Sequence, residues 1–297
     1  MYSIYLVIQM PTDAPTELIL GTAQLVTSYG VTRSSDSPPD QNSAHELLQV
    51  SFDSGVATLD TAPAYGEAEA FIGDCGIPFK IHTKLRKGTN AIDSLNESKE
   101  NLKVNELDVV YIHDIDAFRS NPQQMINDLS KILDLGVRDI GVSIYDEEDL
   151  ALVRQFDQVT FVQVPMNILD RRFSGTKIDE IRSSGLSIIV RSAFLQGVLL
   201  ADPTSLRPQV RHLQNFVAQF QEIASKIGLN PIEACLYWLM AQNDISGIIV
   251  GAQNATEFID IKNSWESARS CELDPDWADS IMLPDANSVD PRKWKAS

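Results

Sequence analysis

Asp60, Tyr65, Lys84 and His113 supply a carboxylate, a phenol, an amine and an imidazole, each at or just past the end of a short apolar run (56–59, 79–83 and 107–112). If those runs are successive parallel strands of one barrel, the four side chains converge on one mouth, because strand C-terminal ends and the loops after them build the active site of such barrels. A free phenol has a pKa of about 10, too high for acid–base work at neutral pH. A neighbouring ammonium favours phenolate, and a carboxylate holds that ammonium charged and in place. Tyr65 then reads as proton donor, Lys84 as the group that tunes it, Asp60 as the anchor, and His113 as the group that orients a carbonyl or extends the relay. Such a set protonates a carbonyl oxygen while a cofactor delivers hydride.

Each residue taken alone has a plainer use. An Asp before Thr-Ala-Pro serves turns, a loop Tyr packs, a Lys solvates a surface, and a His can sit satisfied in a core. Four ionisable types at the ends of three consecutive strands carry the reading that none carries singly.

The surrounding pattern alternates strand-like and helix-like segments. Strands are expected at 17–21, 56–60, 79–84, 107–113, 138–143, 160–165, 186–191 and 245–251. Helices are expected at 44–55 with Ser43 as N-cap, and at 67–73, 91–102, 122–135, 147–156, 178–184, 210–227 and 256–265. Gly136 and Gly185 are placed to end helices, and Asn230-Pro231-Ile232-Glu233 opens another with Asn230 as cap and Glu233 at its third position. Eight strand–helix units with short connections and Val/Ile/Leu-rich strands favour an α/β fold of the (β/α)8 TIM-barrel type over an open doubly wound sheet. The expectation is one barrel domain over residues 1–297, with the barrel proper at about 17–265, a surface loop at 34–43, and a polar tail at 285–297 whose structure the pattern leaves open.

A length of 297 residues suits one such barrel, and a hydrophobic fraction of 43% supplies a full core. The net charge of −17 argues against nucleic acid or anionic membrane as partner. The residues Cys75, Cys235 and Cys271 are odd in number and in no ligand spacing, which points to a reducing, cytoplasmic setting and no structural metal. The apolar segment 1–10 is too short to span a bilayer.

The chain resembles the aldo-keto reductase family. The matching stretches are Leu20-Gly21-Thr22-Ala23-Gln24, Leu59-Asp60-Thr61-Ala62-Pro63-Ala64-Tyr65-Gly66, Thr83-Lys84, Val110-Tyr111-Ile112-His113, Ile140-Gly141-Val142-Ser143, Val162-Gln163-Val164-Pro165-Met166-Asn167 and Ile249-Val250-Gly251-Ala252. They fall in the family's order, and Arg191-Ser192-Ala193-Phe194-Leu195-Gln196-Gly197 looks most like bacterial-type members, among them some associated with surface-sugar biosynthesis. The resemblance implies a nicotinamide cofactor lying extended across the barrel mouth, NADPH favoured over NADH. No G-x-G-x-x-G turn follows any strand, which agrees.

By the same resemblance, Gly21, Thr22 and Asp60 line the nicotinamide half, and Ser143 and Gln163 hold the carboxamide. The segment Ser192, Phe194 and Gly197 follows the pyrophosphate, while Gly251, Ala252, Gln253 and Asp260 hold the adenosine end. Three departures stand out. Ile144 replaces the family's usual Asn, and Arg191 stands where an aromatic often stacks on the nicotinamide ring. Gln253 and Glu257 stand where Arg often meets the 2′-phosphate, leaving Lys262 as a possible substitute cation.

The function expected is NAD(P)H-dependent reduction of an aldehyde or ketone, with sugars among the candidates and the oligomeric state open. Two rivals stand beside it. One is a cofactor-binding regulatory or redox-sensing barrel with little turnover, which the intact tetrad opposes and the altered nicotinamide contacts keep open. The other is a metal-dependent lyase or hydrolase, which the dispersed His45, His82, His113 and His212 disfavour.

Overall fold

Every strand pairs in parallel with the next one in the chain, and the first returns to the eighth, so the sheet closes on itself in a computed structural model that describes residues 15–26 and 39–294. The strands are β1 (Glu17–Gly21), β2 (Thr58–Asp60), β3 (Lys80–Lys84), β4 (Leu107–Ile112), β5 (Val137–Ser143), β6 (Val159–Pro165), β7 (Ser187–Arg191) and β8 (Ile245–Gly251). The helices packed outside them are α1 (Gln41–Asp53), α2 (Ala68–Cys75), α3 (Ala91–Leu102), α4 (Ile115–Ser120), α5 (Pro122–Leu133), α6 (Glu147–Val153), α7 (Thr176–Ser183), α8 (Gln214–Lys226), α9 (Pro231–Met240) and α10 (Ala255–Arg269). Covered by helices outside and side chains inside, the strands need apolar residues on both faces; β2 is buried throughout and β3 at all but its first residue.

Side chains fill the barrel interior. The His82 ring lies 5.8 Å from both the Tyr111 and Phe161 rings, and its Nδ1 is 3.4 Å from the Tyr111 hydroxyl. Gly141 faces that cluster from β5, where a Cβ would stand 2.3 Å from the Tyr111 ring. His82 therefore belongs to the packed core.

Several elements differ from expectation for identifiable reasons. Residues 34–38 of the expected surface loop lie outside the described residues, while Gln41, Asn42 and Ser43 form the first turn of α1, because the Asp40 carboxylate accepts the Ser43 N–H and caps the helix earlier. The stretch expected as one helix over 210–227 divides into a 3-10 segment, Pro208–Leu213, and α8. α4 is an additional short helix, capped by Asp114 and anchored by buried Ile115 and Phe118. The expected α9 start holds in full: Asn230 and Glu233 form a reciprocal capping box with Pro231 in the first turn.

The tail, left open by its pattern, is tied down. Val289 and Asp290 are buried, and a 3-10 turn at Pro291–Lys293 places the Arg292 guanidinium 3.5 Å from the Tyr145 ring centroid, paired with Asp290 at 2.6 Å. Among the described residues, no helix is long and apolar enough to cross a membrane.

Candidate active site

Asp60 ends β2 and Lys84 ends β3, so the closed sheet sets the two strand ends side by side. The Lys84 Nζ donates to Asp60 Oδ1 at 2.7 Å and to the Thr61 carbonyl at 2.9 Å. It stands 5.1 Å from the Tyr65 ring centroid, and it also shares a hydrogen bond with the phenol. Three partners match the three donors of an ammonium. The second oxygen of Asp60 accepts Gln163 Nε2 at 2.7 Å. Lys84 is 2% exposed, which rules out the surface-charge role. Burial works against its charge, yet the Asp60 carboxylate and the Tyr65 phenol more than offset that and hold its pKa above the ordinary lysine value.

Tyr65 is brought over this pair by a turn. The Tyr65 N–H bonds the Ala62 carbonyl at 2.9 Å, and its own carbonyl accepts the Ala68 N–H at the start of α2. The phenol is half-buried and lines a cavity of about 550 Å³ at the C-terminal end of the barrel. His113, one residue past β4, is half-buried; burial, then the Lys84 charge, pushes its pKa down to about 4, so the imidazole is neutral at physiological pH. His82 is pushed down to about 4 as well, chiefly by burial.

Both histidines prefer their neutral form when folded and ionise near 6.5 when unfolded. Their contribution to stability is fully present above pH 6.5 and is lost as pH falls toward about 4. For buried His82 the loss reaches about 3 kcal/mol. Denaturant midpoints measured from pH 7.5 down to 4.5 should fall through that window, and His82→Gln should flatten the slope; a flat wild-type profile contradicts the burial argument.

Gly21, Thr22, Asp60, Gln163, Arg191, Ser192, Phe194, Gly197, Gly251 and Gln253 all line the cavity, as the resemblance implies. Ser143 is buried beside Gln163, its register partner on β6, and Ala252 is buried behind the wall. Asp260 is not brought to the cavity. It is exposed, in a separate shallow depression with Asn230 and Glu233. At Gly251 a Cβ would meet the Gln24 side-chain oxygen at 2.4 Å, so any side chain there would push that amide from its place on the wall. The oxygen of Gln24 is buried with no hydrogen-bond partner among the described residues, on a wall built for a polar ligand. Ser192, Leu195 and Gln196 adopt left-handed backbone (φ 61°, 48° and 54°), a costly conformation for such side chains that folds this segment tightly against the cavity.

Arg191 does more than replace an aromatic. Its guanidinium lies 4.2 Å from the Tyr145 ring centroid, Nη2 donates to the Ile144 carbonyl at 3.3 Å, and Nε is buried without a partner among the described residues. The Arg292 guanidinium lies 3.5 Å from the centroid of the same ring, so Tyr145 meets two guanidiniums. Gln24, Arg207 and this Tyr145–Arg292 support are parts of the site that sequence reasoning did not assign. Gln24 lies inside a quoted matching stretch and was within reach of it; a contact between residues 145 and 292 leaves no trace in one sequence.

The closed eight-stranded parallel barrel with interleaved helices is a (β/α)8 fold. The profile of the Aldo/keto reductase family matches residues 17–272, and the chain belongs to that family. Its members reduce carbonyl compounds with nicotinamide cofactors. The chain is similar to a 6-dehydroglucose reductase of Novosphingobium aromaticivorans, at 25% identity over 266 residues (79% of this chain, 84% of that protein). It is also similar to an NADH-specific methylglyoxal reductase of Escherichia coli, at 21% identity over 244 residues (67% and 75%). Among solved structures, the holo form of an aldo-keto reductase from Bacillus halodurans superposes with a TM-score of 0.70 at 19% identity, covering 89% of this chain and 90% of that one.

Proposed function

We propose that this chain reduces an aldehyde or ketone to an alcohol with a reduced nicotinamide dinucleotide, and that Tyr65, Lys84, Asp60 and His113 carry the chemistry. The observation that supports this most strongly is the buried Lys84 ammonium joined to Asp60, the Thr61 carbonyl and the Tyr65 phenol beside an open cavity. The cavity suits an extended dinucleotide: its wall joins Asp60 and Tyr65 with Ser192, Phe194 and Gly197 and with Gln253 and Glu257, and it offers the Gln24 oxygen, unpartnered among the described residues. When bound, the dinucleotide supplies the hydride.

Tyr65 donates its phenolic proton to the carbonyl oxygen as charge develops there. Lys84 stabilises the phenolate left behind, through the charge and hydrogen bond already in place. Asp60 keeps Lys84 charged and fixed, and Gln163 in turn fixes Asp60. His113, neutral with its pKa near 4, donates an N–H to the carbonyl oxygen and adds no charge to the site. Ser143 and Gln163 are the candidates to hold the carboxamide; Gln163 commits its NH2 group to Asp60 and keeps its oxygen free to accept.

A sugar-related or other small carbonyl substrate and a cytoplasmic location complete the reading; the names of the relatives, one acting on 6-dehydroglucose and one on methylglyoxal, support the substrate class. On the dinucleotide, the resemblance favours NADPH, whereas the placement of Glu257 on the cavity wall favours NADH. The deciding assay is oxidation of reduced dinucleotide with a panel of sugar aldehydes, 2-oxoaldehydes and ketones. Turnover of at least one carbonyl supports the reductase; tight cofactor binding with no turnover of any supports a sensor instead.

Arg191 bears on direction. An oxidised nicotinamide ring is cationic and a reduced one is neutral, so a half-buried guanidinium on the cavity wall disfavours the oxidised form. Arg191→Met should tighten the oxidised dinucleotide relative to the reduced one by about fivefold, roughly 1 kcal/mol, in paired titrations. An unchanged ratio places the guanidinium away from the ring.

A further inference from the structure

We propose that Glu257 makes this enzyme select the dinucleotide without a 2′-phosphate, its carboxylate receiving the free hydroxyls of the adenosine ribose. This deepens the reductase reading and rests on it. Asp60 and Tyr65 fix the reacting end of the cavity, so the far end, walled by Gln253 and Glu257, receives the adenosine half of an extended dinucleotide.

Glu257 is the third residue of α10, in the first turn, where free N–H groups and the helix dipole ordinarily attract phosphate. Here that attraction is already answered from within the chain. The Asn254 side chain accepts the Glu257 N–H at 2.9 Å, and Glu257 Oε2 accepts the Gln253 N–H at 2.8 Å. The helix start therefore presents a resident carboxylate to the cavity where a phosphate would otherwise sit.

Three further observations sharpen this. Glu257 is half-buried, and no lysine or arginine lies within ion-pair distance of it among the described residues. Lys262, the substitute cation named from the sequence, pairs with Glu266 at 2.7 Å along α10. Burial first, with help from Asp260, raises the Glu257 pKa, the mark of a carboxylate short of donors. A ribose 2′,3′-diol offers two O–H donors to such a group; a 2′-phosphate offers none and adds charge of the same sign. Arg207 also lines the cavity but is exposed, so solvent screens its charge more than that of half-buried Glu257.

The test is a pair of binding titrations of the full chain with NADH and with NADPH, followed by quenching of protein tryptophan fluorescence. NADH should bind at least about tenfold more tightly. Glu257→Gln should shrink the gap, and Glu257→Arg should reverse it. Equal or tighter binding of NADPH by the unaltered chain overturns the selectivity and leaves the reductase reading standing. Failure of both dinucleotides to bind removes that reading, and the inference falls with it.

Discussion

Tyr65→Phe should leave dinucleotide binding nearly unchanged and lower turnover by about 10²-fold or more, the scale of losing a positioned acid. The substitution removes one oxygen from a half-buried ring whose place is set by backbone bonds to Ala62 and Ala68, so the fold and the cavity survive it. What disappears is the phenol that shares a hydrogen bond with the Lys84 ammonium. Full activity in the variant would mean that the proton comes from elsewhere.

Lys84→Met should abolish most activity and also weaken the fold, and the two losses have one cause. Asp60, 4% exposed, would keep the Gln163 donor but lose its cation, and an uncompensated buried carboxylate costs about 3–5 kcal/mol. The Thr61 carbonyl would lose its donor too. The double variant Lys84→Met with Asp60→Asn should recover much of the stability and none of the activity, because the neutral amide needs no cation while the phenol stays untuned. Denaturant unfolding and steady-state assays of the single and double variants separate the two effects. Activity returning with stability would assign Lys84 a purely structural role.

The parts legible in the sequence are those fixed by local chemistry. β1, β8 and α3 fall on their expected bounds because a Val/Ile/Leu run or an Asn90 cap marks each end within a few residues. The tetrad was legible for a different reason: in a barrel, strand ends meet whatever the loops do, so sequence position near the end of an apolar run translates directly into convergence. The start of α1 was missed because Gln41, Asn42 and Ser43 carry no apolar period, and the cap that fixes them is a side chain bonding three residues on. α4 is too short for periodicity to register.

What stayed hidden was direction and distance along the chain. Lys262 could face the cavity or its own helix, and only the fold shows it paired with Glu266. Asp260, placed by resemblance at the adenosine end, lines a separate depression nearly one turn along α10 from Glu257, which does line the cavity. Arg191 looked like a substitution for a stacking ring; its support by Tyr145, itself backed by Arg292 from the tail, depends on contacts spanning much of the chain.

The most direct test of the central claim follows the hydride itself. Reduced dinucleotide carrying deuterium at both C4 positions of the nicotinamide is given to the enzyme with a carbonyl substrate, and the alcohol is analysed by mass spectrometry in single turnovers. Deuterium on the carbinol carbon, with the transfer slowed about 10²-fold in Tyr65→Phe, is the result predicted. A product without label, or a transfer rate indifferent to the loss of the phenol, would contradict it.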